Sequence, residues 1–140
     1  MLTISLPYLP PPELSPNSRL HWAPRRRARE AVKDDVKALV LEQGWQGPPM
    51  QCATISISFG LPDRRVRDDD NMMANGMNKA ILDALTGKAR ALDAKGKANG
   101  PWLPERFVLQ EDDRNHARVT FGHHQSPGKP QTIIEIREAE

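Results

Sequence analysis

The chain of 140 residues has one cysteine, one tyrosine, three tryptophans and three phenylalanines. A lone Cys52 excludes an intrachain disulfide framework and a cysteine-rich zinc site. With so few aromatic rings, a core has to be built mainly from aliphatic side chains. No apolar run approaches the roughly 18 residues of a membrane-spanning helix, so no membrane partner is expected. The opening Met-Leu-Thr-Ile-Ser-Leu-Pro carries neither a basic region nor a long apolar one. No secretion signal is therefore expected, and the expected compartment is a reducing cytosol. Cys52, in the run Cys-Ala-Thr-Ile-Ser-Ile, reads as a small buried hydrophobe.

What is present is a soluble single-domain composition, 38% hydrophobic and 27% charged. A chain of this size buries about two-thirds of its unfolded surface, enough for one core and too little for two. Twenty Lys and Arg against eighteen Asp and Glu give a net charge of only +2, but the signs are segregated. Residues 14–29 hold Arg19, Arg25, Arg26, Arg27 and Arg29 without an acid, and Arg64, Arg65 and Arg67 form a second basic cluster. Acids gather at Asp68-Asp69-Asp70 and Glu111-Asp112-Asp113. Basic clusters point to a polyanion, and acid clusters beside them point to a metal.

The hydrophobic pattern predicts an α/β domain. Residues 2–6 alternate in strict period two, as a half-buried strand does. Six prolines between 7 and 24 predict an extended, partly rigid loop, and Pro24 suits the first turn of a helix running to about Gln43, with Gly44 as its stop. Val32, Val36, Leu39 and Val40 share one face of that helix. Arginines at its start oppose the helix dipole, a cost that a bound anion would offset. Residues 52–59 alternate again as a second strand. A second helix is expected to open at Asp70 or Asn71 and run to about Leu85, with Met73, Met77, Ala80, Ile81 and Ala84 as its apolar stripe. Residues 86–106 read as a long loop, basic through Lys88, Arg90, Lys95 and Lys97. Residues 107–109 form a short strand candidate. Residues 118–123 and 132–136 are expected to pair as a hairpin around Ser126-Pro127-Gly128.

The segment richest in chemistry is Asp63-Arg64-Arg65-Val66-Arg67-Asp68-Asp69-Asp70-Asn71. In an extended stretch Asp68 and Asp70 project to the same side, roughly 6–7 Å apart at Cα, and Asp69 points away. Two such carboxylates entering a helix suit Mg²⁺ or Mn²⁺, hard cations that take oxygen ligands. They suit an acidic helix cap as well. Glu111-Asp112-Asp113 follows a short strand candidate and reads either as a solvated turn or as the completing carboxylate. Phosphodiester hydrolysis brings these residue types together: divalent ions neutralise a scissile phosphate and orient a water, and arginines bind neighbouring phosphates bidentately. Trp22 reads either as a platform for an exposed base or, more readily, as packed under the proline loop. His123-His124 lacks a third ligand and reads as a solvated strand end. Met72, Met73 and Met77 read as helix core or dimer surface.

Three stretches together resemble the RusA family of Holliday junction resolvases, in particular its phage-borne members. These are Leu6-Pro7 through His21-Trp22 with its proline run, Arg64-Arg65-Val66-Arg67-Asp68-Asp69-Asp70-Asn71 ahead of Asp83-Ala84-Leu85, and Asp112-Asp113-Arg114-Asn115. The resemblance covers most of the chain in the right order. The elements read from the pattern, in β-α-β-α-β-β order with a mixed sheet and two main helices, then correspond to a single small RusA-like domain over 1–140, in which the basic stretch at about 87–106 reads as an insert. The resemblance further implies a cytoplasmic homodimer, in a bacterial cell or phage-infected host, that cuts branched DNA at four-way junctions symmetrically with Mg²⁺ or Mn²⁺. By motif position Asp68, Asp70 and Asp113 would be the metal-binding catalytic acids. Arg25, Arg26, Arg27, Arg64, Arg65 and Arg67 are the expected DNA contacts.

Two features depart from that pattern. The family's functional lysine lies often four or seven residues past the second Asp, where this chain has Ala74 and Met77. Lys79, nine residues past Asp70, is the candidate in its place, yet on one regular helix that offset turns it about 180° away. Either the helix begins later or is irregular, or Lys79 is not the equivalent group. The second departure is the length of the 87–106 stretch. The alternatives to a resolvase are a non-catalytic branched-DNA binder and a broader flap or fork nuclease.

Overall fold

The computed structural model describes residues 1–15, 22–63, 75–87, 89–90, 94–96, 102–103, 107–109 and 117–139. In chain order they form β1 (Leu2–Leu6), a 3₁₀ turn (Pro12–Leu14), α1 (Trp22–Glu42), β2 (Ala53–Leu61), α2 (Gly76–Thr86), β3 (Ala89–Arg90), β4 (Trp102–Leu103), β5 (Ala117–Gln125) and β6 (Gln131–Glu138). Four strands make one mixed sheet in the order β1-β6-β2-β5. β6 runs antiparallel to both β1 and β2, and β2 runs parallel to β5. The chain is an α/β protein, with two α-helices on a mixed sheet among the described residues.

Alternation along the strands decides which face is covered. Leu2, Ile4 and Leu6 of β1, Ile55, Ile57 and Phe59 of β2, and Ile134 and Ile136 of β6 are buried. They form a single core with Val32, Val36 and Val40 of α1 and Met77, Ala80, Ile81, Ala84 and Leu85 of α2. Both helices therefore lie on one side of the sheet, and α1 packs on α2 and on β1. The other side carries Thr3, Ser5, Thr54, Ser56 and Ser58, all partly or fully exposed. Among the described residues, no helix is long and apolar enough to cross a membrane.

Four expectations need correction. The second helix does not open at Asp70 or Asn71: its cap is Asn75, whose side chain accepts hydrogen bonds from the Met77 and Asn78 amides at 2.8 and 3.3 Å. Its far end is closed by Gly87 at φ +73°, a left-handed conformation that glycine adopts without steric cost. Second, β5 and β6 are not a hairpin. The turn at Ser126-Pro127-Gly128 exists, but β2 lies between the two strands, and the turn passes over its end. The Ser126 amide donates to the Leu61 carbonyl at 2.9 Å and the Gly128 amide to the Pro62 carbonyl at 3.0 Å.

Third, Cys52 is exposed. It precedes the first strand residue and has the parity of Thr54, Ser56 and Ser58, not that of the core. Fourth, the stretch expected to be a loop contains a two-stranded antiparallel ribbon of β3 and β4. The short strand candidate at 107–109 is reduced to one parallel bridge between Met50 and Leu109.

Candidate nucleic-acid interface

α1 begins with Trp22-Ala-Pro-Arg25-Arg26-Arg27-Ala-Arg29, and the helix sorts these residues by angle. At 100° per residue, Trp22, Arg25, Arg26 and Arg29 fall within one sector, and Lys33 continues it a turn later. Val36 and Val40 fall in this same sector, so the first two turns carry arginine where the later turns carry core-facing valine. Trp22 is 63% exposed and Arg26 and Arg29 are exposed. At that exposure Trp22 is not buried, contrary to the expectation that it packs under the proline loop. Lys33 is buried, 3.7 Å from Glu30 one turn back. An exposed indole set among guanidinium groups combines a base-stacking plane with phosphate-binding cations. Arg27 does not share this face. It turns toward a groove between α1 and the loop after β1.

Lys79 lies in the opening turns of α2, because the helix begins at Gly76. The nine-residue offset from Asp70 therefore does not run along one helix, and the 180° objection falls away. Its ammonium is 3.1 Å from the Asp83 carboxylate, an i,i+4 pair in which the lysine side chain is 61% exposed and the aspartate side chain 17%. The pair joins a solvated ammonium to a mostly buried carboxylate within one helix.

Asp68, Asp70, Asp113, Arg64, Arg65 and Arg67 lie outside the described residues, as do Asp69, Asn71, Met72, Met73 and Asp112. Their flanks are described. Residues 64–74 are bounded by Asp63, just past the end of β2, and by Asn75, the cap of α2. Residues 110–116 are bounded by Leu109 and Ala117. The Leu109 and Val108 amides both donate to the Leu85 carbonyl in the last turn of α2, at 3.0 and 2.8 Å. The two acidic segments are thus tied to opposite ends of α2. Among the described residues, no group of three or more His, Cys, Asp or Glu gathers as a metal site.

Two polar networks were not anticipated from sequence. His124 is not a solvated strand end: its Nδ1 lies 2.7 Å from Ser58 Oγ and its Nε2 lies 3.1 Å from Gln131 Nε2. Because an amide nitrogen can only donate, the Nε2 accepts and Nδ1–H donates to Ser58. The imidazole crosses β2 above Gly60, where any Cβ would lie 2.5 Å from Gln131 Cγ and 2.9 Å from His124 Nε2. His123 is exposed. In the second network the Tyr8 hydroxyl donates to Asp35 Oδ2 at 2.6 Å, and Thr132 Oγ1 donates to the Tyr8 carbonyl at 2.8 Å. Burial, then the hydrogen bond to Asp35 and its negative charge, push the Tyr8 hydroxyl well above the usual tyrosine range. Sequence offers a signal only for the α1 stripe, through its i, i+4, i+7 spacing; the two networks join residues distant in the chain.

No protein-family model matches the chain. An uncharacterized protein of Xylella fastidiosa (strain Temecula1 / ATCC 700964) is 36% identical to it over 90 residues, 61% of this chain and 58% of that protein. The match thus spans less than two-thirds of that relative.

Proposed function

We propose that the chain is a metal-dependent, structure-specific endonuclease of the RusA kind, cutting four-way DNA junctions as a homodimer. The observation that carries this reading is the face of α1 that presents exposed Trp22 among Arg25, Arg26 and Arg29. A surface with a ring plane and several guanidinium groups is suited to nucleic acid at a branch, where phosphates are crowded and bases are accessible. Asp68, Asp70 and Asp113 supply the cation chemistry. They are hard, anionic oxygen donors of the kind that Mg²⁺ or Mn²⁺ takes, and the ion would polarise the scissile phosphate.

Chain length is compatible with a shared site. α2 rises about 15 Å between Asn75 and Leu85. Asp70 stands five residues before Asn75 and Asp113 four residues past Leu109. Extended chain reaches about 16 Å and 13 Å over those distances, so chain length allows Asp70 and Asp113 to share a site.

The pairing of Lys79 with Asp83 favours a second reading, a branched-DNA binder without catalysis, in which Lys79 is a helix-surface residue and takes no part in a reaction. Incubating the purified chain with four-way, three-way and linear DNA, with and without Mg²⁺, separates the readings. The nuclease gives Mg²⁺-dependent paired nicks in opposed strands of the four-way junction, and Asp70→Asn stops cutting while leaving binding intact. Binding with no divalent-dependent nick overturns the nuclease in favour of the binder. Equal cutting of flaps and forks makes it a broader enzyme than proposed.

A further inference from the structure

Between the loop after β1 and the outer side of α1 lies a groove of about 480 Å³, within the range of small-molecule sites. It faces away from the Trp22 stripe. Pro24, Arg27, Ala28, Ala31 and Asp35 recur at i, i+3, i+4, i+7 and i+11, so one helix face forms one wall. Tyr8, Pro11 and Glu13 form the other. The walls are held in place by the Tyr8–Asp35 bond at 2.6 Å and by the Thr132 bond to the Tyr8 carbonyl at 2.8 Å. The groove therefore exists before any ligand arrives.

Its chemistry is divided. Tyr8 and the two prolines offer flat apolar surface, and Ala28 leaves room above it. Three charged groups surround that surface: the Glu13 and Asp35 carboxylates and the Arg27 guanidinium. Among the described residues neither Arg27 nor Glu13 is in an ion pair, so both can turn to a ligand. A complementary molecule has a flat body, hydrogen-bond donors on one edge and an anion at the other end.

We propose that this groove binds a guanine nucleotide. The base lies against Tyr8 and the prolines, its N1–H and exocyclic amine donate side by side to the Glu13 carboxylate, and its phosphate meets Arg27. Asp35 fixes the wall through Tyr8 and keeps one oxygen for a further donor. Cytosine and adenine offer a carboxylate only an amine, with a ring nitrogen acceptor beside it. Uracil and thymine flank their single N–H with carbonyls that a carboxylate repels. The order of preference is therefore guanine first and uracil or thymine last. The shared ligand chemistry has two sources, a free mononucleotide or a guanine turned out of a strand. The site is independent of the nuclease reading and needs no metal.

Calorimetric titration of the full chain with GMP, UMP, guanosine and inorganic phosphate is the test. Saturable GMP binding is expected, with UMP and guanosine each at least about tenfold weaker. Glu13→Gln is expected to erase the preference for GMP over UMP, and Arg27→Ala to erase the advantage of GMP over guanosine. Both side chains line the groove and neither is buried in the core, and an unchanged circular dichroism spectrum verifies that the variants fold. Competition by a single-stranded oligonucleotide containing guanine, but not by its thymine counterpart, assigns the site to a strand; absence of competition with GMP still bound assigns it to the free nucleotide. The proposal is overturned by no saturable GMP binding, by equal affinity for GMP and UMP, by inorganic phosphate binding as tightly as GMP, or by indifference to both substitutions.

Discussion

Tyr8 joins the proline loop to α1 through one hydrogen bond, and it is the only tyrosine in the chain. Its titration can therefore be followed by phenolate absorbance without assignment. In the folded state its hydroxyl loses its proton above the ordinary value near 10, because burial and the Asp35 carboxylate both disfavour the phenolate. The unfolded chain releases that proton first. The Tyr8 contribution to stability is thus complete below about pH 10 and falls as pH rises beyond it. Phenolate absorbance should emerge later than in denaturant, and Asp35→Asn should bring it partly back, since burial remains. In Tyr8→Phe the alkaline decline in stability due to this group should be absent. An onset identical in native and denatured protein would remove the physical basis for this account.

Gly60 supplies the second test at this scale. A methyl there would meet Gln131 and His124 side chains from the two flanking strands at 2.5 and 2.9 Å. Gly60→Ala should cost about 1–3 kcal/mol, a shift of several degrees in Tm. Combining it with Gln131→Ala, which deletes the closest atom, should cost less than the sum of the two single changes. Strict additivity would mean that the crowding is relieved elsewhere.

At the level of elements, β1 and α1 were legible because their periodicities of two and 3.6 are uninterrupted and their ends carry proline and glycine. The start of α2 was not. Asp70, Asn71 and Asn75 are all good caps, and cap preference alone does not choose among them; the Asn75 side chain bonds the Met77 and Asn78 amides. The β5–β6 turn was correctly read as a turn and wrongly read as a hairpin. A local signal fixes where the chain reverses, whereas the insertion of β2 between the strands depends on a distant segment. The parity of Cys52 with Thr54, Ser56 and Ser58 was present in the sequence and already placed it away from the core. Of the candidate site, the arginines of α1 could be placed by helix geometry. The acidic motifs could be named but not positioned, because the relative placement of segments some forty residues apart is set by long-range packing and not by local pattern.

The division of α1 into two faces makes a direct prediction. Replacing Arg25, Arg26 and Arg29 with alanine should weaken binding to a four-way junction. The slope of log affinity against log salt should fall by roughly 0.9 for each phosphate no longer neutralised. Trp22→Ala should weaken binding by about 1–3 kcal/mol with little change in that slope, since stacking carries no counterion term. Arg27→Ala, on the groove side, should lower the slope less than Arg26→Ala does. If Arg27→Ala flattens it as much as Arg26→Ala does, the helix does not divide its arginines between two partners.

For the whole molecule, symmetry is the consequence of the proposed reaction. Resolving a junction requires matched cuts in two opposed strands, and two copies of one active site related by a two-fold axis can supply them. The chain of 15.7 kDa should therefore behave at twice that mass in solution, alone or on junction DNA. Mixed dimers of the native chain and Asp70→Asn give the sharper measurement. Each carries one intact and one disabled site, so a junction labelled on both candidate strands should receive a single nick and remain unresolved. A homodimer of the native chain should give both nicks, and a homodimer of Asp70→Asn neither. Two nicks from the mixed dimer would show that one subunit cuts both strands in turn, and the geometric reason for a dimer would be gone.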